Sequence, residues 1–212
     1  MLEVLTKNAV TDEVSTTAKK KRKISFEEYL TKYDGKHAEW LDGEVILFMS
    51  ASDRHQDLVG FFEALLRMFV EENDLGVIRT GPMTMKLSSR GREPDVFFLA
   101  KENLNRLEKN YLNGAADLVI EIISPESRGR DRGDKFYEYE QAGVKEYWLI
   151  DYEREKIEFY GLDEKGFYQV LTADENNVFH SQVLDNLKLN VSWLWQKKLP
   201  TLLEIAREWK LV

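Results

Sequence analysis

Hydrophobic positions follow two rhythms along this chain. Leu58, Phe62, Leu65, Leu66 and Phe69 recur three and four residues apart, the spacing of one helix face. Ser52 or Asp53 ahead of them and Asn73 and Gly76 behind them bound a long helix. Residues 117–123, by contrast, form an almost unbroken apolar run, which predicts a central strand covered on both faces. Shorter runs predict strands at residues 76–80, 83–87, 94–100, 145–151, 156–160 and 166–171, with a further one near 182–189. Pro94 stands at a strand start, where proline is tolerated. Ser25-Phe-Glu-Glu28 matches a capping box and predicts a helix to about residue 33. Asp42-Gly43 between apolar stretches signals a hairpin. Further helices are expected over 101–107, over 131–142 with Gly143 as terminator, and over 199–209, with a turn at 88–92 and a loop at 124–130.

From residue 53 onward this gives helix, strand hairpin, strand, strand, helix, strand, with hairpins added at both ends. The fold class expected is a mixed α/β sheet with helices packed against it. Residues 1–24 show no period and end in Lys19-Lys-Lys-Arg-Lys23, so they read as a mobile, basic-ended arm before a single domain over 25–212. The basic run reads first as a solvated tail and second as a phosphate contact.

Composition narrows the function classes. The formal net charge is −8 with a pI of about 5.1, which argues against a generally basic nucleic-acid coat protein while leaving room for a local basic patch. Cysteine is absent, so disulfides, zinc ribbons and thiol nucleophiles are excluded. With no signal-peptide pattern and no membrane-length apolar run, a soluble cytoplasmic protein without membrane contact is expected.

Candidate chemistry comes from residues that break the pattern. Glu121 interrupts Leu118, Val119, Ile120, Ile122 and Ile123, where an unpaired carboxylate is costly to desolvate. Asp95 opens the preceding long strand. Sequential strands are commonly neighbours, so Asp95 and Glu121 can point into one site. Converging carboxylates attract a divalent cation such as Mg²⁺, with Mn²⁺ as substitute, and the Ile122 carbonyl can add an oxygen. Lys135 on the following helix can orient or deprotonate a water and steady phosphate charge. The plainer reading pairs Lys135 with Asp131 on the helix surface. Tyr139 shares the helical stripe of Lys135. His55 and Glu44 are candidates for supporting positions, against ordinary roles at a helix start and a strand edge. Arg128, Arg130 and Arg132 are candidate phosphate contacts, against a solvated loop tip.

These residues, taken in order, resemble the Uma-two endonucleases, a restriction-endonuclease family common in cyanobacteria and part of the PD-(D/E)xK nuclease superfamily. The resemblance rests on Glu39-Trp-Leu-Asp-Gly-Glu44, His55, Glu93-Pro-Asp-Val96, the run Asp117 to Ser127, Arg130-Asp131, Lys135, and Gly143-Val-Lys-Glu-Tyr-Trp-Leu-Ile-Asp151, across about residues 25–190. It implies a restriction-endonuclease-like core, Asp95 and Glu121 as Mg²⁺ ligands, and DNA as substrate. The chain departs from the superfamily pattern at Ile123, which stands where a lysine is usual. Lys135 fills that role in this reading, with Lys86 as competitor. The departure also keeps an alternative open, a non-catalytic protein- or nucleic-acid-interaction module on the same fold. Trp193, Trp195, Trp209 and Phe179 either pack a C-terminal extension onto the core or form the face of a homodimer.

Overall fold

The computed structural model describes residues 23–48, 51–124 and 128–211. The expected arm, apart from Lys23 and Ile24, lies outside the described residues.

Helix α1 (Phe26–Lys32) begins where Ser25 accepts a hydrogen bond from the Glu28 amide. Strands β1 (Ala38–Leu41) and β2 (Glu44–Leu47) form the expected hairpin, turned at Asp42 and Gly43, both at positive φ. Glycine suits that geometry, and aspartate is among the few other residues that adopt it readily. Helix α2 (Asp53–Glu72) is capped by Ser52 and buries Leu58, Phe62, Leu65, Leu66 and Phe69. Next come β3 (Gly76–Thr80), β4 (Thr84–Leu87), β5 (Arg90–Arg92) and β6 (Val96–Ala100). A 3₁₀ helix over Lys101–Arg106 leads to β7 (Tyr111–Asn113) and β8 (Leu118–Ile122). The chain continues through α3 (Arg128–Arg132), α4 (Asp134–Ala142), β9 (Glu146–Asp151), β10 (Lys156–Leu162) and β11 (Tyr168–Leu171). It ends with β12 (Val178–His180), β13 (Lys188–Asn190) and α5 (Leu202–Glu208).

The main sheet has six strands in the order β11-β10-β9-β8-β6-β3. Its centre is β8, antiparallel to β6 and parallel to β9. Alternation along these strands makes two cores. Ile120, Ile122, Trp148 and Ile150 face α2 and the C-terminal segment. Val119, Ile123, Tyr147 and Leu149 face α4 and a second sheet, ordered β2-β1-β5-β4-β7. The core order of helix, three strands, helix, strand is therefore met by α2, β3, β6, β8, α4 and β9.

Three expectations change. The hairpin expected between residues 76–80 and 83–87 does not form, because β3 pairs with β6 while β4 pairs with β5 in the second sheet. Residues 90–92, expected as turn, are strand β5 beside β1 and β4. The helix expected over 131–142 is broken at Gly133, and its first part starts at Arg128, inside the expected loop. A Cβ at Gly133 would come 2.8 Å from the Gly129 carbonyl oxygen, so the break accepts little but glycine.

The C-terminal segment is locked onto the main sheet. Phe179 stacks on Phe159 with ring centroids 3.6 Å apart, and Phe179 and Trp193 are both buried. Of the two roles considered for the C-terminal aromatics, internal packing is the one these take. Most of the strand expected near 182–189 is instead a loop over residues 181–187, and only its end belongs to a strand, β13, which pairs with β12. Glu146 pins that loop: Trp148 Nε1 donates to it at 2.6 Å, the Gln182 amide at 2.7 Å, and the Val183 amide and Ser181 hydroxyl at 3.2 Å. Burial pushes its carboxyl above the ordinary range, and these donors offset part of that rise. Glu146→Ala leaves several buried donors without an acceptor. It is expected to lower stability by roughly 2–5 kcal/mol in urea unfolding. Amide exchange at Gln182 and Val183 should accelerate. Unchanged exchange there would show that Glu146 does not hold the loop.

Candidate active site

The site starts from a strand end. Val96 lies opposite Ile120 in the antiparallel β6–β8 pair, so the next step sets Asp95 beside Glu121. Pro94 has no N–H and β6 stops there. Asp95 then uses its side chain in place of the ladder: Oδ2 accepts the Ile122 amide at 2.7 Å. The same oxygen lies 3.3 Å from Nε2 of His55. His55 reaches it from the first turn of α2, where its amide donates to the Ser52 hydroxyl. Burial pulls the imidazole pKa down, but Asp95 and the Ile122 backbone more than offset this, so it stands above the ordinary value.

Glu121 reaches toward α4. Its Oε1 accepts the Tyr139 hydroxyl at 2.6 Å and lies 2.9 Å from Lys135 Nζ. Lys135 is buried and meets two further carboxylates, Asp131 Oδ1 at 3.2 Å and Glu39 Oε1 at 3.3 Å. Glu39, on β1, is held by Arg92 Nη1 at 2.6 Å. Arg92 is itself fully buried and bidentate to Glu138 of α4, at 2.7 and 2.8 Å. Arg90 extends the chain of charges outward, to Glu138 at 3.4 Å and to Asp42 in the hairpin turn at 3.0 Å.

The balance of this cluster is negative. Burial raises the Glu121 pKa, Lys135 lowers it, and the charges of Asp131 and Asp95 raise it again, leaving it above the ordinary carboxylate range. Burial lowers the Lys135 pKa, but Asp131, Glu121 and Glu39 hold the amine well above its usual value. Burial raises Glu39, and Lys135 with Arg92 bring it below the usual range. One ammonium thus faces more carboxylate charge than it neutralises. Oδ1 of Asp95 and Oε2 of Glu121 take no hydrogen bond from the described residues, and so have capacity for a cation. Among the described residues no three acidic or histidine side chains are set to enclose an ion. Two carboxylates with water and substrate completing the shell is the usual Mg²⁺ arrangement, and the donor set fits it.

Placement of the other candidates is mixed. Tyr139 and His55 stand at the two acids. Ile122 is tied to Asp95 through its amide, and its backbone also faces His55. Lys86 instead lies 4.6 Å over the Phe26 ring, packed on the second sheet. Glu44 sits exposed at the start of β2, opposite Leu41, and does not enter the cluster. Arg132 is drawn to carboxylates, Glu158 at 3.1 Å and Asp151 at 3.4 Å. Arg128 and Arg130 lie in α3, and their side chains fall outside what is described. Arg92 and Glu138 are the members not singled out from sequence, and Glu39 was named only within the stretch Glu39 to Glu44.

The comparisons with known proteins meet this geometry. The sequence profile of the Uma2 family, described as "Putative restriction endonuclease", matches residues 26–192, and the chain belongs to that family. In structure it is similar to a protein from Anabaena variabilis ATCC 29413 described as "a putative nuclease belonging to DUF820". That likeness has a TM-score of 0.68 at 18% identity and covers 81% of this chain and 97% of the other. The fold is accordingly the restriction-endonuclease-like α+β core with added hairpins. No curated protein matches the sequence. No helix among the described residues is long and apolar enough to cross a membrane.

Beside the cluster, Glu93 accepts the Tyr29 hydroxyl at 3.1 Å and the Ala38 amide at 3.2 Å. Burial pushes its carboxyl from 4.5 up to about 7. A pKa raised on folding means that the protonated form favours the native state. Its contribution is complete below pH 4.5 and is lost as pH climbs through about 7. The shift corresponds to roughly 3 kcal/mol. Glu93→Gln is expected to remove that part of the pH dependence, so that the variant gains stability relative to wild type between about pH 5 and pH 8. Parallel stability–pH curves for the two proteins would refute this.

Proposed function

We propose that this member of the Uma2 family is a Mg²⁺-dependent endonuclease that hydrolyses DNA phosphodiester bonds, with Mn²⁺ able to replace Mg²⁺. The observation that carries the reading is the convergence of Asp95 and Glu121 from adjacent strands, with Lys135 on Glu121. Asp95 and Glu121 would hold the cation, with Ile122 offering its carbonyl. The bound ion supplies a polarised phosphoryl oxygen and a more acidic water.

The chain's own residues do the positioning. His55 and the Ile122 amide fix one oxygen of Asp95 and leave the other for the ion. Tyr139 and Lys135 do the same for Glu121. Such pre-set ligands need no reorganisation when substrate arrives. Lys135, one carboxylate away from the ion, adds a fixed positive charge beside the phosphate as negative charge builds on it. Arg128, Arg130 and Arg132 belong to the segment that follows β8, where DNA phosphates would pass.

A second reading, a non-catalytic interaction module on this fold, draws on Lys135. All three of its N–H donors have carboxylate partners within the chain. Calorimetry decides between them, because the module reading expects no divalent-cation binding by the folded protein. Two strands of a duplex also suggest a homodimer, built on a surface other than the buried Phe179 and Trp193. A monomer mass in light scattering overturns that element alone.

Cleavage of plasmid DNA with Mg²⁺ tests the main reading. Asp95→Asn and Glu121→Gln are each expected to lower the rate by about 10²-fold or more. Circular dichroism should remain that of wild type. Equal cleavage by all three proteins would sink the proposal.

A further inference from the structure

We infer that strand β2 pairs edge to edge with β2 of a second copy of this chain, so that the second sheet runs on through both copies. The inference rests on the homodimer of the proposed function and names its surface.

β2 ends the second sheet, with β1 on one side and no strand of the described residues on the other. The Phe48 amide donates to the His37 carbonyl opposite it at 3.1 Å, so hydrogen-bonded pairs recur at Ile46 with Glu39 and at Glu44 with Leu41. The N–H and C=O groups of Val45 and Leu47 therefore point away from β1, toward the open edge. Sheets normally blunt such edges with charges, proline or bulges. From Val45 to Leu47 there is neither charge nor proline, and the register with β1 is unbroken. The sequence stays apolar through Phe48 and Met49. Leu47 is 62% exposed on this edge. The edges of the main sheet differ, because Arg79 interrupts β3 and Gln169 interrupts β11.

A second copy fits this edge because its outward groups complement themselves. With a two-fold axis through Ile46, Val45 of each copy lies opposite the partner's Leu47, and each such pair exchanges N–H···O=C bonds in both directions. The exposed Leu47 side chain then meets the partner's Val45, which is half-buried in the packing around Phe26 and Tyr29. Glu44 comes opposite the partner's Phe48 and not the partner's Glu44, so no like charges are opposed. An unrelated strand could use the backbone groups, but the apolar match and the offset of the glutamates come from the chain itself. The pairing also relates the two charge clusters. Glu39 lies beside Ile46 on β1. Copies joined at β2 set their β1 strands three strand spacings apart, roughly 14 Å. Both clusters then lie on the same side of the joined sheet, as two cuts in one duplex require.

The test uses the full chain, without metal or DNA, in sedimentation equilibrium. Wild type is expected to be a dimer. Leu47→Lys changes a side chain that is already exposed, and should raise the dimer dissociation constant by about tenfold or more with the circular dichroism of wild type. Register is read by cross-linking, which the absence of cysteine makes specific. Ile46→Cys sets two thiols across the axis in a non-hydrogen-bonded pair, with Cα atoms about 4.5 Å apart and within disulfide range. Oxidised glutathione is expected to link that variant into a covalent dimer. Glu44→Cys sets its thiols roughly 14 Å apart and should stay unlinked. Wild type that is monomeric overturns the inference together with the homodimer and leaves the nuclease reading standing. Slow amide exchange at Val45 and Leu47 in that monomer would assign the edge to another segment of the same chain. A dimer that Leu47→Lys does not weaken overturns the inference and leaves a homodimer on some other surface. Linkage through Glu44→Cys as readily as through Ile46→Cys overturns it too.

Discussion

A carboxylate placed in the middle of an apolar strand must be compensated, and the arrangement around it follows from that requirement. Glu121 lies on the central strand of the main sheet, far from bulk water. Its partners are a tyrosine and a lysine that are themselves buried. The lysine then needs further anions, which arrive from β1 and α3, and the β1 anion needs a cation, which is Arg92 on β5. Each compensation recruits another segment of chain. The second sheet, the break between α3 and α4, and the hairpin at the start of the domain are all tied to one desolvated charge. Asp95 sits at the other end of this arrangement, at a strand terminus that is partly open, where a ligand can reach it.

Much of this was legible in the sequence wherever a residue contradicted its surroundings. Glu121 stood out because every neighbour was apolar. Asp95 followed from proline at a strand start and from the pairing of consecutive long strands. Tyr139 followed from its helical spacing with Lys135, and Lys135 itself from the resemblance to the family. Arg92 and the burial of Glu39 were hidden for the opposite reason, because the two lie in short strands of three and four residues that read as turn or edge. Their burial depends on non-local pairing of β1 with β5, which no local pattern encodes. The helix break at Gly133 was hidden too. Glycine there answers a close approach of the Gly129 carbonyl, a contact that exists only once the turn has formed.

The family match and the structural likeness act at different levels. At 18% identity the neighbour from Anabaena establishes a shared fold and nothing finer. The family profile reaches from the first helix to the segment after β13, so it includes both sheets and the charge network. The geometry holds two acids with fixed donors, and among the described residues each has an oxygen that takes no hydrogen bond.

The tether from Arg92 to both Glu39 and Glu138 has a consequence for how such a chain can change over generations. Loss of any single member strands a buried charge, at a cost of about 3–5 kcal/mol, a large part of the stability of an ordinary domain. Apolar replacement of the whole group is much less costly than the first step toward it, because the members are strongly non-additive. Positions 39, 92, 121, 131, 135 and 138 therefore behave as one inherited character. A lineage can keep the set or trade it wholesale, but intermediates with a single substitution are the least fit to fold. Descendants would be held to the same internal charges whatever use the cluster serves.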